Sequence, residues 1–225
     1  MPELRKGENV AVGLGTVVAE LHALGGTVDL SALLVAADGK VRSDDDLVFY
    51  NQPSAESGAI RHLAADSAGP ERVEIDPAGL PADVERVVLV GSCDPDDMSR
   101  TFRDIENVLV RAAQLGADPV EFRPPFLTDG ERAVLLMELY RRGETWKLRA
   151  IGQGYADGLA GLAIDFGIDV ADEQAEPVEP PQATDAHTAP AASLTSLRKP
   201  PLGAISLDRA VRSPSAWTRR TASCW

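Results

Sequence analysis

The chain has 225 residues, the length of one large domain or of one domain with an appendage. Its 35 Asp and Glu outnumber 22 Lys and Arg, and a net charge of −13 excludes a body built to displace counterions from nucleic-acid phosphates. Apolar residues make up 44%, no stretch approaches the roughly 20 apolar residues of a membrane span, the start Met-Pro-Glu-Leu-Arg lacks a signal-peptide core, and Cys93 and Cys224 form no C-x-x-C pair, so a reduced, cytoplasmic protein is expected.

In chain order, Asn9 to Val18 alternates weakly and carries Gly13 and Gly15, which predicts a bent or bulged strand. Thr27 to Ala36 is a near-continuous apolar run, a central strand that closes at the turn Asp38-Gly39. Leu47 to Tyr50 is a short β-prone block, followed by a polar loop from Asn51 to Gly58. Val73, Ile75 and Val87 to Val90 supply further strands around the turn-rich Pro77 to Pro81. Ile105 to Leu115 reads equally as a helix or as a strand followed by a turn.

The clearest local unit is a hairpin. Ala133, Leu135, Met137 and Leu139 fall on one face at period two, the turn surrounds Gly143, and Trp146, Leu148 and Ala150 return on one face of the partner. Tyr155, Leu159, Leu162, Ala163 and Phe166 then form a helical stripe, with Gly167 as its C′ residue. The pieces predict a mainly β fold, a β-sandwich with a C-terminal helix packed at its end.

The charge imbalance belongs to residues 1–170, with 29 acids and 16 bases, whereas residues 171–225 hold six of each. The second stretch is polarised: Ala171 to Asp185 has five acids and no base, and Ala186 to Trp225 has six bases and one acid. It also holds seven of the 16 prolines, and such a composition predicts a mostly disordered tail. Leu202, Ile205, Leu207 and Val211 are the one group in it able to form a short docking element.

Several chemistries fail on spacing. Gly152-x-Gly154 lacks the third glycine of a dinucleotide fingerprint, because Asp157 stands there and glycine arrives at 158. His22, His62 and His187 have no partner at zinc-ligand spacing, and no G-x-S-x-G elbow occurs. Asp44-Asp45-Asp46 and Asp94-x-Asp96-Asp97 crowd carboxylates into loops beside strands, the kind of repulsion a hard divalent cation relieves. The EF-hand pattern fails, since Ser99 occupies position six counted from Asp94 and Ile105 position twelve. On the residues alone a solvated acidic loop is the favoured reading, since charge runs are usually solvated.

Four blocks of sequence carry a resemblance: Leu4-Arg5-Lys6-Gly7-Glu8-Asn9; Asp29-Leu30-Ser31-Ala32; the run from Gly39 through Asp44-Asp45-Asp46 to Phe49-Tyr50-Asn51-Gln52; and Glu138-Leu139-Tyr140 with Trp146 to Tyr155. In that order, over about residues 5 to 170, the chain resembles the TerD domain, the tellurium-resistance and bacterial stress protein family. The resemblance implies a β-sandwich, calcium held by acidic loops, a stress-response role alongside other proteins of the same system, and no enzymatic activity. It implies as ligands Asp29, Asp46 and Asn51, the last at the end of the strand after Asp46, together with Glu71 before Val73-Glu74-Ile75-Asp76 and Asp66, with Asp94 nearby. Two departures predict a weakened calcium site: Thr27 stands where the family often has an aspartate, and the acid-rich loop is shortened to Leu63–Pro70. Two functions follow, a calcium-binding stress protein and, alternatively, an interaction scaffold of the same fold that has weakened or lost its calcium. An enzyme acting on tellurite is disfavoured, because an acidic body repels anions and no redox cysteine pair exists.

Overall fold

A computed structural model describes residues 1–65, 69–127 and 129–168. The predicted tail, 171–225, with its candidate docking group, lies outside the described residues, as does Asp66. Twelve strands occur among the described residues: β1 Asn9–Val12, β2 Val17–Leu24, β3 Asp29–Val35, β4 Leu47–Val48, β5 Ser54–Ala55, β6 Ile60–Leu63, β7 Glu71–Ile75, β8 Arg86–Ser92, β9 Glu106–Gln114, β10 Val120–Phe122, β11 Ala133–Arg142 and β12 Thr145–Tyr155. One helix, α1 Gly158–Phe166, follows.

The strands form two six-stranded sheets, ordered β1-β12-β11-β8-β3-β4 and β10-β9-β2-β7-β6-β5. They face one another as a sandwich. Val17, Ala19 and Leu21 of β2 meet Leu30, Ala32 and Leu34 of β3 and Val87 and Leu89 of β8 in a common core. The alternate residues of the first sheet, Leu33, Val35, Val88 and Val90, pack against Leu162 and Phe166 of α1. Both faces of β3 and β8 are therefore buried, which is why their sequences are continuous apolar runs rather than alternating ones. The helix lies across the outer face of the sheet rather than at its end. It stops at Gly167, whose φ of 72° is the left-handed value a terminal glycine supplies, and Lys40 Nζ donates to the carbonyl of Asp165 at 2.6 Å.

Two local expectations change, and of the two readings of Ile105 to Leu115 the strand followed by a turn is the one found. Asn9 to Val18 is not one bent strand: β1 and β2 lie in different sheets, and the Gly13–Thr16 turn carries the chain between them. Gln114 clasps that turn by accepting from Gly13 N–H at 2.9 Å and donating to its carbonyl at 3.1 Å. Ile105 to Leu115 resolves as strand β9, paired along its length with β2. The hairpin's period-two face is interrupted by a bulge at Leu136, the residue β11 has in excess of β8. Ala133 and Leu135 face the helix, whereas Leu136, Met137 and Leu139 face the sandwich core, because one extra residue flips every side chain beyond it.

Residues 2–8 lace the two sheets together at one side. Leu4 N–H donates to Glu121 O and Gly7 N–H to Ala150 O, both at 2.8 Å. Among the described residues no helix is long and apolar enough to cross a membrane.

Candidate cation site

Strand pairing decides which acidic residues meet. β3 and β8 run antiparallel with Asp29 opposite Ser92, so the start of one and the loop leaving the other share an end of the sheet. That loop is Cys93 to Arg100, and Asp94 and Asp96 stand exposed on it. Arg132, just before β11, gathers it: Nη2 donates to the carbonyls of Asp94 at 2.9 Å and Asp97 at 3.1 Å, and Nε to that of Arg100 at 3.3 Å. Within the loop, Asp94 Oδ1 accepts from Asp96 N–H at 2.9 Å. Asp97 is engaged by Ser99, whose hydroxyl donates to it at 2.6 Å and holds its carboxyl below the usual range.

Tyr50 reaches the same end from the turn after β4. Its ring lies edge-on to Phe49, with centroids 5.4 Å apart. Among the described residues its buried hydroxyl has no hydrogen-bond partner. Burial, then the negative charges of Asp29, Asp94, Asp96 and Glu71, push its pKa up to about 12. Asn51 follows in a tight turn closed by mutual backbone bonds between Phe49 and Gln52 at 3.0 and 3.1 Å.

Glu71 is buried at the start of β7 in the opposite sheet. Its Oε2 accepts the N–H of Leu30 at 2.7 Å and stands 3.5 Å from Nε2 of the buried His62. It therefore ties the residue after Asp29 to the second sheet.

Asp46 is elsewhere. Its carboxylate, 2% exposed as a residue, accepts from the Arg42 backbone N–H at 2.7 Å, Nε at 3.0 Å and Nη2 at 2.6 Å. Arg42 also reaches Glu56 and, at 3.0 Å, Asp83. The hydrogen bond to Asp46 is the largest cause holding the guanidinium proton above its ordinary value.

Of the residues expected as ligands, the fold thus brings Asp29, Glu71 and Asp94 to one end, with Asn51 beside Tyr50, and sets Asp46 apart on Arg42. In sequence Asp96 belongs to the acidic run beside Asp94 but not to the implied ligand set, and nothing marks Tyr50 or Arg132 as organisers; Tyr50 adjoins Asn51 in the resembling block, but its missing partner is a tertiary fact. All the donors facing Tyr50 are oxygens, the chemistry a hard divalent cation takes, and a buried hydroxyl without a partner faces the same acids. Among the described residues, however, no three His, Cys, Asp or Glu side chains converge closely enough to enclose an ion.

A family model described as the TerD domain matches residues 3–166. The chain is 32% identical over 169 residues to tellurium resistance protein TerD of Serratia marcescens, covering 72% of this chain and 88% of that protein. It is 32% identical over 151 residues to general stress protein 16U of Bacillus subtilis, covering 64% and 78%. A crystal structure of a homologue of telluride resistance protein from Streptomyces coelicolor shares the fold, with a TM-score of 0.53 at 21% identity over 67% of this chain and 96% of that one.

Proposed function

The chain belongs to the TerD domain family, whose named relatives are tellurium-resistance and stress proteins, and on that premise we propose that it acts by binding calcium rather than by catalysis. The observation that carries the reading is the Tyr50 hydroxyl, buried without a hydrogen bond among the described residues, in the field of Asp29, Asp94, Asp96 and Glu71. Asp29, Asp94 and Asp96 are the proposed ligands, with Asn51 at the rim. Asp66 joins them on the sequence alone. Glu71 holds β3 in place through Leu30, and Asp46 serves the Arg42 cluster instead of the ion. A bound cation would supply the positive charge that lets these carboxylates crowd together; the chain's own residues position the oxygens, and Arg132 fixes the loop that carries two of them. Other proteins of the same stress system are the proposed cytoplasmic partners.

One observation favours the alternative of a scaffold that has lost the ion: the acids do not close into a three-residue cluster among the described residues. Calorimetric titration separates the two. Calcium binding with a defined stoichiometry, abolished in Asp29→Asn and Asp94→Asn and much weaker for magnesium, supports the first reading. No heat at millimolar calcium supports the scaffold.

A further inference from the structure

An apolar groove runs between the start of β9 and the segment that follows β10. Buried Phe102 and Ile105 form its floor, and Pro124, Pro125 and Phe126 form one wall. Phe126 is 100% exposed, an unusual state for a phenylalanine in a chain with five of them. Arg103, Arg123 and Glu106 are the charged residues that line the groove. Arg123 meets Glu3 and Glu121 only at 3.4 and 3.8 Å, with its side chain about half exposed, and such surface pairs exchange at little cost.

We propose that this groove takes the acidic proline segment Glu176-Pro177-Val178-Glu179-Pro180-Pro181 of the same chain. Grooves lined by aromatic rings take proline-rich segments because proline fixes φ in advance and little ordering entropy remains to be lost. The segment also brings carboxylates that can exchange for Glu3 and Glu121 on Arg123, since Ala171 to Asp185 carries five acids and no base. The reach suffices as well. Ile168 and Ser92 line one crevice, Cys93 N–H bonds to Arg132 O, and Phe102 N–H bonds to Glu131 O, so the groove begins close to where the described chain ends. The eight steps from Ile168 to Glu176 span up to roughly 25–30 Å when extended. Tethering at that length replaces a bimolecular encounter with an intramolecular one at high effective concentration. This inference is independent of calcium.

The test places a nitroxide on Val178→Cys in the full chain carrying Cys224→Ser. Cys93 stays unlabelled, being buried with its thiol pushed up to about 11. Amide signals of Arg103 to Val108, Arg123, Phe126 and Leu127 are then expected to lose most of their intensity, with recovery in Phe126→Ser and in the charge-reversed Glu176→Lys/Glu179→Lys chain. Phe126 is fully exposed, so its replacement leaves the fold intact. Uniform broadening, or broadening at another face, overturns the proposal. So does the same pattern when the label is carried only by a second, isotopically silent copy, because the occupant would then come from another molecule.

Discussion

Glu71 Oε2 accepts the backbone N–H of Leu30 at 2.7 Å across the interior of the sandwich, from the first residue of β7 to the second residue of β3. The bond sets the end of β3 that presents Asp29. Removing the acceptor leaves a buried donor unsatisfied, a loss of about 1–3 kcal/mol. Glu71→Ala is therefore expected to lower the urea midpoint clearly, and Glu71→Gln, which keeps a carbonyl oxygen, to lower it less. Equal losses in the two variants would mean that the Leu30 bond contributes little.

Arg42 and Asp46 make a second prediction. Asp46 is almost fully buried, so Arg42→Met strands its carboxylate. Breaking a buried pair costs about 3–5 kcal/mol, and the quarter exposure of the Arg42 side chain puts the expected loss at the low end or below, about 2–3 kcal/mol. Asp46→Asn keeps two polar atoms in place and should cost less. Denaturant melts of both variants check this.

Alkaline pH should weaken the fold over a defined window. Burial raises the Cys93 thiol from 9.0 to about 11, and burial with the surrounding carboxylates raises Tyr50 from 10.0 to about 12. Both groups are neutral when protonated, and the folded state holds their protons more tightly than the unfolded one. Their contribution is thus complete below the unfolded pKa and is lost as pH rises through the folded value. Stability should fall from about pH 9 upwards, and Tyr50→Phe should flatten the part of the decline between 10 and 12. Urea midpoints measured across that range, in wild type and variant, give the slope directly.

Gly152 tests the bulge in the β11–β12 hairpin. Its φ is +66°, and a Cβ there would stand 2.8 Å from Pro125 Cδ and 3.0 Å from the Phe122 ring. Gly152→Ala is expected to cost about 1–3 kcal/mol from strain and overpacking. A thermal melt unchanged from wild type would show that the segment around Pro125 yields freely.

These features differ in how far the sequence announced them. β3 and β8 were legible because burial on both faces leaves unbroken apolar runs, and α1 because its stripe ends at a glycine. The bulge at Leu136 was not, since Leu135, Leu136 and Met137 are all apolar and the pattern does not say which of them is extra. The division of Asn9 to Val18 between two sheets was hidden for a similar reason: a glycine pair marks a bend but not where the chain goes after it. At the candidate site, Asp29 and Asp94 stood out as acids at strand ends. Asp46 looked the same in sequence, and only folding shows that Arg42, four residues earlier, takes its carboxylate. The isolation of the Tyr50 hydroxyl depends on neighbours from three separate parts of the chain, which no local pattern contains.

Thermal unfolding of the full chain in chelator, calcium and magnesium tests most directly the proposed binding of calcium by Asp29, Asp94 and Asp96 beside Tyr50. A ligand at about 100 times its Kd adds roughly 2.7 kcal/mol, which is several degrees for a domain of this size. A rise specific to calcium is expected, lost in Asp29→Asn and Asp94→Asn and kept in Asp46→Asn. No rise in wild type, an equal rise with magnesium, or a calcium response that disappears only in Asp46→Asn would contradict it.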